Sequence, residues 1–189
     1  MKRGPKKKGS EKKGPRKRGL MIGRFQPVHL GHLKGIEEIL GEVDDVIILI
    51  GSAQYSHSLN NPFTAGERIS MVHEALKENK LDLSRIFIIP LMDTNDNRIW
   101  VAHLVTSVPS FDVAYTHNPL VKRLLFESNI EVKSTSFWNR EIYNATEVRN
   151  RILNGGNWEE LVPQSVAKII KDISGVERIQ QIGETTLKI

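Results

Sequence analysis

A ten-residue segment near the start of the chain combines the residue types that bind phosphate groups. Residues 23–32 read Gly-Arg-Phe-Gln-Pro-Val-His-Leu-Gly-His. His29 and His32 are three residues apart, so both imidazole rings can donate hydrogen bonds to one phosphate. Arg24 adds a fixed positive charge next to them. The spacing therefore predicts an anion site, and a phosphate ester is the anion that suits these donors.

The elements around this segment put it where an anion would bind. Residues 20–22 predict a short apolar strand before it, and residues 31–41 predict a helix after it, with apolar side chains on one face. The free N–H groups and the dipole at the start of a helix attract anions. Gly23 and Gly31 let the backbone approach a ligand without a Cβ in the way, and Pro27 stiffens the turn between them.

The two histidines could instead be structural, or they could bind zinc. A single histidine in a turn is more often structural, but two that bracket glycine-containing backbone at a strand-to-helix junction favour phosphate binding. Zinc is the rival ligand for His29 and His32. The chain has no cysteine, and no carboxylate lies close by in the sequence to complete a zinc set. We therefore predict no metal site built from protein side chains.

Short apolar runs alternate with helical periodicity along the rest of the chain. Strands separated by helices imply βαβ crossovers, and hence a parallel sheet that binds ligands at the carboxyl ends of its strands. The sequence thus predicts an α/β fold, a Rossmann-like doubly wound parallel sheet with C-terminal helices. The predicted strands are 20–22, 46–50, 86–89, 113–115 and 130–132, and the predicted helices are 31–41, 65–79, 98–107, 119–127, 146–154 and 164–173.

The positive charge of the chain is concentrated in a tail. Residues 1–18 hold ten Lys or Arg and one Glu, a net charge of +9, while the 189-residue chain carries only +5, so residues 19–189 carry −4. We expect a disordered basic tail over 1–18, because it has nothing to bury, and a single domain over 19–189. The tail is either a weak nucleic-acid contact through phosphates or a solubilising extension.

Membrane insertion and export are not expected. No apolar run approaches the ~20 residues of a membrane helix, and the first apolar stretch after the basic start is shorter than the ~7 residues that a secretory signal needs. The absence of cysteine excludes disulfides and fits a reducing compartment. The predicted location is the cytoplasm.

The segment 29–32 resembles the His-x-Gly-His motif of the nucleotidyltransferase superfamily, which is related to class I aminoacyl-tRNA synthetases. The longer segment 23–32 resembles archaeal-type nicotinamide-nucleotide adenylyltransferases. The similarity runs from about residue 19 to about residue 180. Four further segments share it: Gly-Ser-Ala-Gln at 51–54, Pro-Phe-Thr-Ala-Gly-Glu-Arg at 62–68, Trp-Val-Ala-His at 100–103 and Asn-Pro-Leu-Val at 118–121.

A second superfamily motif of the form Ser/Thr-x-Thr/Ser-x-x-Arg corresponds to residues 144–149. Here it reads Asn-Ala-Thr-Glu-Val-Arg. Asn144 stands where the family usually has a hydroxyl residue, but asparagine can also cap a helix by accepting a backbone N–H bond. Alone, this segment would be an ordinary capped helix with an exposed arginine. Together with the first motif it favours phosphate binding by Thr146 and Arg149.

The resemblance implies a reaction and its participants. It implies that the adenylyl group of ATP is transferred to nicotinamide mononucleotide (NMN), giving NAD and pyrophosphate in NAD biosynthesis. A divalent cation, Mg²⁺, would bridge ATP oxygens and keep several waters. The family also implies a homo-oligomer, with a hexamer as a common form. The implied catalytic residues are His29, His32 and Arg149, and the implied ATP or phosphate ligands are Gly23, Arg24, Phe25, Gln26, Gly31 and Thr146.

The resemblance places NMN near Asp93, Asn97 and Trp100. An indole face stacks well on a cationic pyridinium ring, an asparagine side chain can bond the carboxamide through its donor and its acceptor, and a carboxylate could balance the ring charge. The alternatives from the residues themselves are a core aromatic for Trp100 and a turn residue for Asp93.

Two alternative functions remain. The same chemistry on flavin mononucleotide (FMN), phosphopantetheine or a sugar phosphate would use the same phosphate motifs, and only residues 93–100 discriminate among these acceptors. A nucleic-acid-binding protein would use the basic tail, but it would also predict a basic folded surface, whereas residues 19–189 carry a net charge of −4.

Overall fold

A computed structural model describes residues 16–136 and 141–186, and their centre is a five-stranded parallel sheet. The strands lie in the order β3-β2-β1-β4-β5, and every neighbouring pair is parallel. The strand order reverses at β1, because the chain first adds β2 and β3 on one side of it and then β4 and β5 on the other. The strands are β1 (Arg18–Gly23), β2 (Asp45–Ile50), β3 (Ile86–Pro90), β4 (Val113–Tyr115) and β5 (Val132–Lys133).

Helices cover both faces of the sheet, so the predicted doubly wound α/β fold is confirmed. One face packs against α1, α2 and the C-terminal helices α5 to α7, and the other packs against α3 and α4. No helix in the described part of the chain is long and apolar enough to cross a membrane. The helices are α1 (Leu30–Glu42), α2 (Ala65–Glu78), α3 (Asn97–Ser107), α4 (Pro119–Glu127), α5 (Ala145–Leu153), α6 (Gln164–Asp172) and α7 (Gly175–Thr186).

The alternating faces of the strands explain the two cores. All six residues of β2 are buried, with Val46, Ile48 and Ile50 in the core under α1 and α2, and Ile47 and Leu49 in the core under α3 and α4. This is the environment that a continuous β-branched run predicts. Burial on both faces fixes the register of the central strands, and with it the positions of the loops at their carboxyl ends.

The last three residues of the predicted disordered tail belong to the fold. β1 begins at Arg18, whose N–H donates to Asp112 Oδ2 at 2.6 Å. Lys17 accepts backbone hydrogen bonds from Asp44 and Asp45, and Arg16 pairs with Asp45 at 2.6 Å. The expectation of disorder is therefore corrected for residues 16–18, because acidic residues at the starts of β2 and β4 anchor them. The rest of the predicted tail, residues 1–15, lies outside the described residues.

Candidate active site

The loop between β1 and α1 is held rigidly by its own side chains. Phe25 adopts the left-handed region (φ 51°) and is only 1% exposed. The Phe25 ring packs closely on Gly23, so a Cβ on residue 23 would lie only 2.9 Å from the ring. The amide of Gln26 donates to Phe63 O at 2.8 Å and accepts from Phe63 N at 3.0 Å. A phosphate contact from Phe25 or Gln26 would therefore come from the backbone, because both side chains serve the loop itself.

His29 and His32 lie against each other at the start of α1. Their ring centroids are 3.6 Å apart, and His32 also packs on Phe25 at 4.5 Å. The backbone N–H of His29 donates a hydrogen bond to Nδ1 of His32 at 3.3 Å. The neutral His32 ring therefore carries its proton on Nε2. Gly31 suits this packing, because a Cβ on residue 31 would lie 3.1 Å from His29 Nδ1 and 3.0 Å from Tyr143 O, and these neighbours would have to move slightly.

The two histidines are neutral donors, not charges. Burial lowers the pKa of His29 to about 3, and burial together with repulsion from His29 lowers the pKa of His32. Each ring therefore keeps one N–H at neutral pH and contributes no positive charge. His29 Nδ1 has no hydrogen-bond partner among the described residues. The positive charge that faces an anion must come from other side chains.

Arginines supply that charge. Arg149 is 5% exposed, and its guanidinium donates to Gln26 O at 2.8 Å and to Thr146 Oγ1 at 3.3 Å. Burial, with a smaller effect of Arg24, lowers the pKa of Arg149 to about 10, so it remains charged at neutral pH. Asn144 caps α5 by accepting the Glu147 N–H at 2.8 Å. The second motif is thus joined to the first through the bond from Arg149 to Gln26.

The predicted nicotinamide residues lie beyond the ends of β2 and β3. Asp93 accepts a hydrogen bond from Ser52 Oγ at 2.6 Å, and its backbone pairs with the amide of Gln54 at 3.0 and 3.2 Å. Asn97 is the first residue of α3 and is exposed. Trp100, one turn later, is 9% exposed and belongs to the core under α3 and α4. Trp100 is therefore a core aromatic that also faces a cavity.

That cavity, of about 620 Å³, opens at the carboxyl ends of the strands. It touches both sides of the reversal in strand order, which is where an open α/β sheet binds its ligand. Six of the predicted site residues line it: Gly23, Arg24, His32, Asp93, Asn97 and Trp100. The remaining six do not line the cavity and lie in the loop, in its helix start or in α5: Phe25, Gln26, His29, Gly31, Thr146 and Arg149.

Sequence reasoning missed part of the cavity wall. Polar residues that follow β2, β4 and β5 also face it, and His117 is held by Thr135 Oγ1 at 3.0 Å. The available signal was their position directly after predicted strands, since parallel strands present their carboxyl ends on one edge. The missed polar wall residues are Ser52, Tyr55, Thr116, His117, Asn118 and Thr135.

Metal binding by the protein alone has no support in the described ranges. Residues 16–136 and 141–186 contain no group of three or more His, Asp or Glu side chains able to hold an ion. Within the cavity wall, Asp93 is the one carboxylate among the described residues. A cation bound here would take most of its ligands from a substrate and from water.

Comparison with known proteins gives one family. Residues 20–151 match the cytidylyltransferase-like family. The chain is 51% identical over 169 residues to a nicotinamide-nucleotide adenylyltransferase of Archaeoglobus fulgidus, covering 88% of this chain and 97% of that protein. It is also 51% identical over 166 residues to one of Thermococcus kodakarensis, covering 88% of each chain.

Among solved structures, the fold resembles a bifunctional NMN adenylyltransferase/ADP ribose pyrophosphatase of Francisella tularensis, complexed with AMP and a manganese ion. The TM-score is 0.76 at 24% identity. The match covers 92% of this chain but 54% of that protein, so this chain spans about half the length of the bifunctional protein. At this identity the likeness concerns the fold.

Proposed function

The chain belongs to the cytidylyltransferase-like family, with the archaeal nicotinamide-nucleotide adenylyltransferases among its relatives, and we propose that it makes NAD from ATP and NMN. The observation that carries the proposal is the single cavity wall that joins Arg24 and His32 of the phosphate loop to Trp100 and Asn97. A volume of about 620 Å³ is within the range of small-molecule sites.

The proposed reaction is one displacement at phosphorus. An oxygen of the NMN 5′-phosphate forms a bond to the α-phosphorus of ATP, and the bond from that phosphorus to the bridging oxygen of the β-phosphate breaks. Pyrophosphate leaves with the electron pair. A phosphate monoester is already an anion, so no general base is required. Catalysis then rests on positioning and on stabilisation of the transferred charge.

Arg24, Arg149 and His32 are the side chains proposed to stabilise that charge. Arg24 and His32 line the cavity, and Arg149 is joined to the same loop by its 2.8 Å bond to Gln26 O. His32 suits a donor role, because its Nδ1 already accepts a hydrogen bond and its proton is on Nε2. His29 and Thr146 support these groups by contact, His29 through ring packing and Thr146 through the 3.3 Å bond to Arg149.

A divalent cation is proposed to accompany ATP, with Mg²⁺ as the ion. The ion would be held mainly by ATP and water, and it would neutralise negative charge on the leaving pyrophosphate. The chemistry of the cavity wall fits an ion held in this way, since Asp93 is its one carboxylate among the described residues.

For the acceptor, we propose that nicotinamide stacks on the cavity face of Trp100. Asn97 lies one turn earlier on α3 and is exposed, so its amide is free to meet a carboxamide. Asp93 would balance the positive pyridinium ring. Asp93, Asn97 and Trp100 are thus the part of the cavity wall that would favour NMN over FMN, phosphopantetheine or a sugar phosphate as the acceptor.

An acceptor panel tests the choice of substrate. The protein is mixed with ATP, Mg²⁺ and one acceptor at a time, and pyrophosphate release is measured. We expect release with NMN to exceed release with FMN, phosphopantetheine and sugar phosphates by at least about tenfold in kcat/KM, because Trp100 and Asn97 suit a pyridinium carboxamide. Faster release with another acceptor would replace NMN and leave the reaction class standing.

Assembly, location and the basic tail stay predictions. A homo-oligomer, with a hexamer as the family form, fits the large apolar side chains that α3 and α4 expose, such as Phe126 at 70% and Ile99 at 55%. The cytoplasmic location rests on sequence alone. A weak nucleic-acid contact by residues 1–15 is separable from catalysis: deleting them should leave adenylyl transfer intact while RNA binding, if present, is lost.

A further inference from the structure

Arg68 is a fully buried cation directly beneath the proposed phosphate site. Its side chain is 0% exposed. The guanidinium donates four hydrogen bonds to backbone carbonyls, to Arg24 at 2.9 Å, Gly51 at 2.8 Å, Ser52 at 3.1 Å and Thr64 at 3.2 Å. Within the described ranges it forms no ion pair. One side chain thus ties the ends of β1 and β2 to the start of α2.

The charge of Arg68 persists in this environment. Burial, and then Arg24, lower its pKa to about 10, while Asp93 raises it, so it is a cation at neutral pH. Burying a charge without a paired carboxylate is costly, and apolar residues often stabilise a core as well or better. The four carbonyl hydrogen bonds give Arg68 a structural role. Because two of the segments it holds, at Arg24 and at Gly51 and Ser52, line the cavity, that role also bears on the ligand site.

The hydrogen bonds of Arg68 to Arg24 O and Gly51 O fix the orientation of two peptide units. In a planar trans peptide the C=O and the N–H point in opposite directions. The carbonyls of Arg24 and Gly51 point inward at the guanidinium, so the N–H groups of Phe25 and Ser52 point away from the interior. Neither N–H has a hydrogen-bond partner among the described residues. Arg24 of the first loop, and Gly51 and Ser52 of the second, line the cavity.

The backbone angles support the same orientation. Phe25 (φ 51°) and Ser52 (φ 52°) are both in the left-handed region, which residues other than glycine rarely adopt. Strain of this kind collects at functional sites, where surrounding contacts hold it in place. Backbone in a left-handed turn can also gather N–H groups into an anion-binding hollow.

We propose that Arg68 is a positioning residue that aims the N–H groups of Phe25 and Ser52 at the phosphate chain. The inference rests on the proposed function in one respect, that the anion is the phosphate chain of ATP or the pyrophosphate product. Arg68 does not touch the ligand. Arg68 acts through the two loops that it holds. A lysine cannot replace it, because only the forked guanidinium donates hydrogen bonds to several carbonyls at once.

The test compares pyrophosphate affinity among purified variants by calorimetry. Arg68→Lys keeps the charge and loses the fork, and we expect its affinity to fall about 10- to 100-fold, the cost of one or two hydrogen bonds to an anion. Arg68→Met should lose at least as much. Binding of adenosine, which has no phosphate, should change less than about twofold in Arg68→Lys.

Arg178→Met is the matched control. Arg178 is likewise an arginine tied to α2, through Glu67 at 2.8 Å and Pro62 O at 3.2 Å, but it is only partly buried and does not line the cavity. We expect it to lose stability and to keep wild-type pyrophosphate affinity. Wild-type affinity in Arg68→Lys, or an equal loss in Arg178→Met, would overturn the proposal.

A measurement on the wild-type protein covers the case in which the Arg68 variants do not fold. Pyrophosphate is added to isotopically labelled protein, and amide resonances are followed by NMR. The Phe25 and Ser52 amides should shift more than amides on the far side of α2, and unmoved amides would refute the proposed orientation. Neither experiment uses NMN, so a wild-type protein that failed to make NAD would count against the proposed function alone.

Discussion

At the scale of single residues, the site combines neutral histidine donors with positively charged arginines. His29 and His32 are held neutral by burial, while Arg24, Arg68 and Arg149 carry the positive charge. The residues of segment 23–32 indicated both histidines and Arg24, and the resemblance to the second superfamily motif indicated Arg149. Sequence reasoning could not tell that the side chains of Phe25 and Gln26 face inward, because that depends on contacts with residues far along the chain.

His32→Ala tests the donor role. We expect kcat to fall by ~10²–10³-fold, the cost of losing one donor that stabilises transferred charge, with little change in folding because the ring lines a cavity. Steady-state kinetics and thermal melting measure both. His73→Ala is the control, since His73 is exposed on α2 and pairs only with Glu74 among the described residues. Loss of folding with normal activity per folded molecule would show that His32 is structural.

Trp100→Ala tests the acceptor site. Losing a stacked cation should raise the KM for NMN roughly 3- to 30-fold and leave the KM for ATP nearly unchanged. Because Trp100 is 9% exposed and packs in the core, we also expect a stability loss of ~3–5 kcal/mol. Trp100→Phe should fall between wild type and Ala in both respects.

Leu104→Ala separates the two effects of Trp100. Leu104 is fully buried in the same core on α3 and does not line the cavity. It should lose ~2–5 kcal/mol of stability with a wild-type KM for NMN. An equal rise in the KM for ATP and the KM for NMN in Trp100→Ala would contradict the proposed stacking of nicotinamide on Trp100.

At the scale of elements, the strands and most helices were predictable because burial imposes clear periods on them. β2 and α4 follow their patterns closely. The last helix, α7, was missed, since its apolar residues are sparse and its packed face is defined by contacts with elements distant in sequence, among them α5 and the Glu67 side chain of α2. β5 lies at Val132–Lys133, one to two residues later than predicted, because a two-residue edge strand has too little pattern to fix its position.

The start of α5 gives the prediction that belongs to this scale. Asn144 accepts the Glu147 N–H at 2.8 Å, so Asn144→Ala should lower the free energy of unfolding by about 0.5–2 kcal/mol. Asn144→Ser should keep the cap and most of the stability. Because the side chain of Asn144 bonds backbone, kcat should change less than about threefold in both variants. A loss of activity in Asn144→Ala at full folding would instead assign residue 144 a phosphate contact.

At the scale of the whole molecule, the sheet brings residues more than a hundred positions apart to one edge. Arg149 meets Gln26 across 123 residues, and the cavity draws on the ends of all five strands or the loops after them. The fold class predicted that edge. Its detailed wall depended on which side chains point inward after each strand, and single-sequence patterns carry little information there.

Buried neutral histidines also link global stability to pH. The folded pKa of His29 and of His32 is lowered, so the unfolded chain binds more protons below its histidine pKa of about 6.5. The contribution of the two histidines to the free energy of unfolding is therefore fully present above that pH. It falls as the pH drops from 7 to 5, by up to about 1.4 kcal/mol per pH unit for each histidine. His32→Asn should make this slope shallower. Denaturant unfolding at several pH values measures the slope, and an unchanged slope in His32→Asn would contradict the neutral buried pair.

The central claim is that the adenylyl group moves from ATP to NMN. The most direct measurement incubates the protein with NMN, Mg²⁺ and ATP radiolabelled at either the α- or the γ-phosphorus, and separates the products. We expect the α-label to enter NAD and the γ-label to leave in pyrophosphate, in equal amounts. An α-label that remains in ATP, or that is released as AMP without entering a dinucleotide, would contradict it.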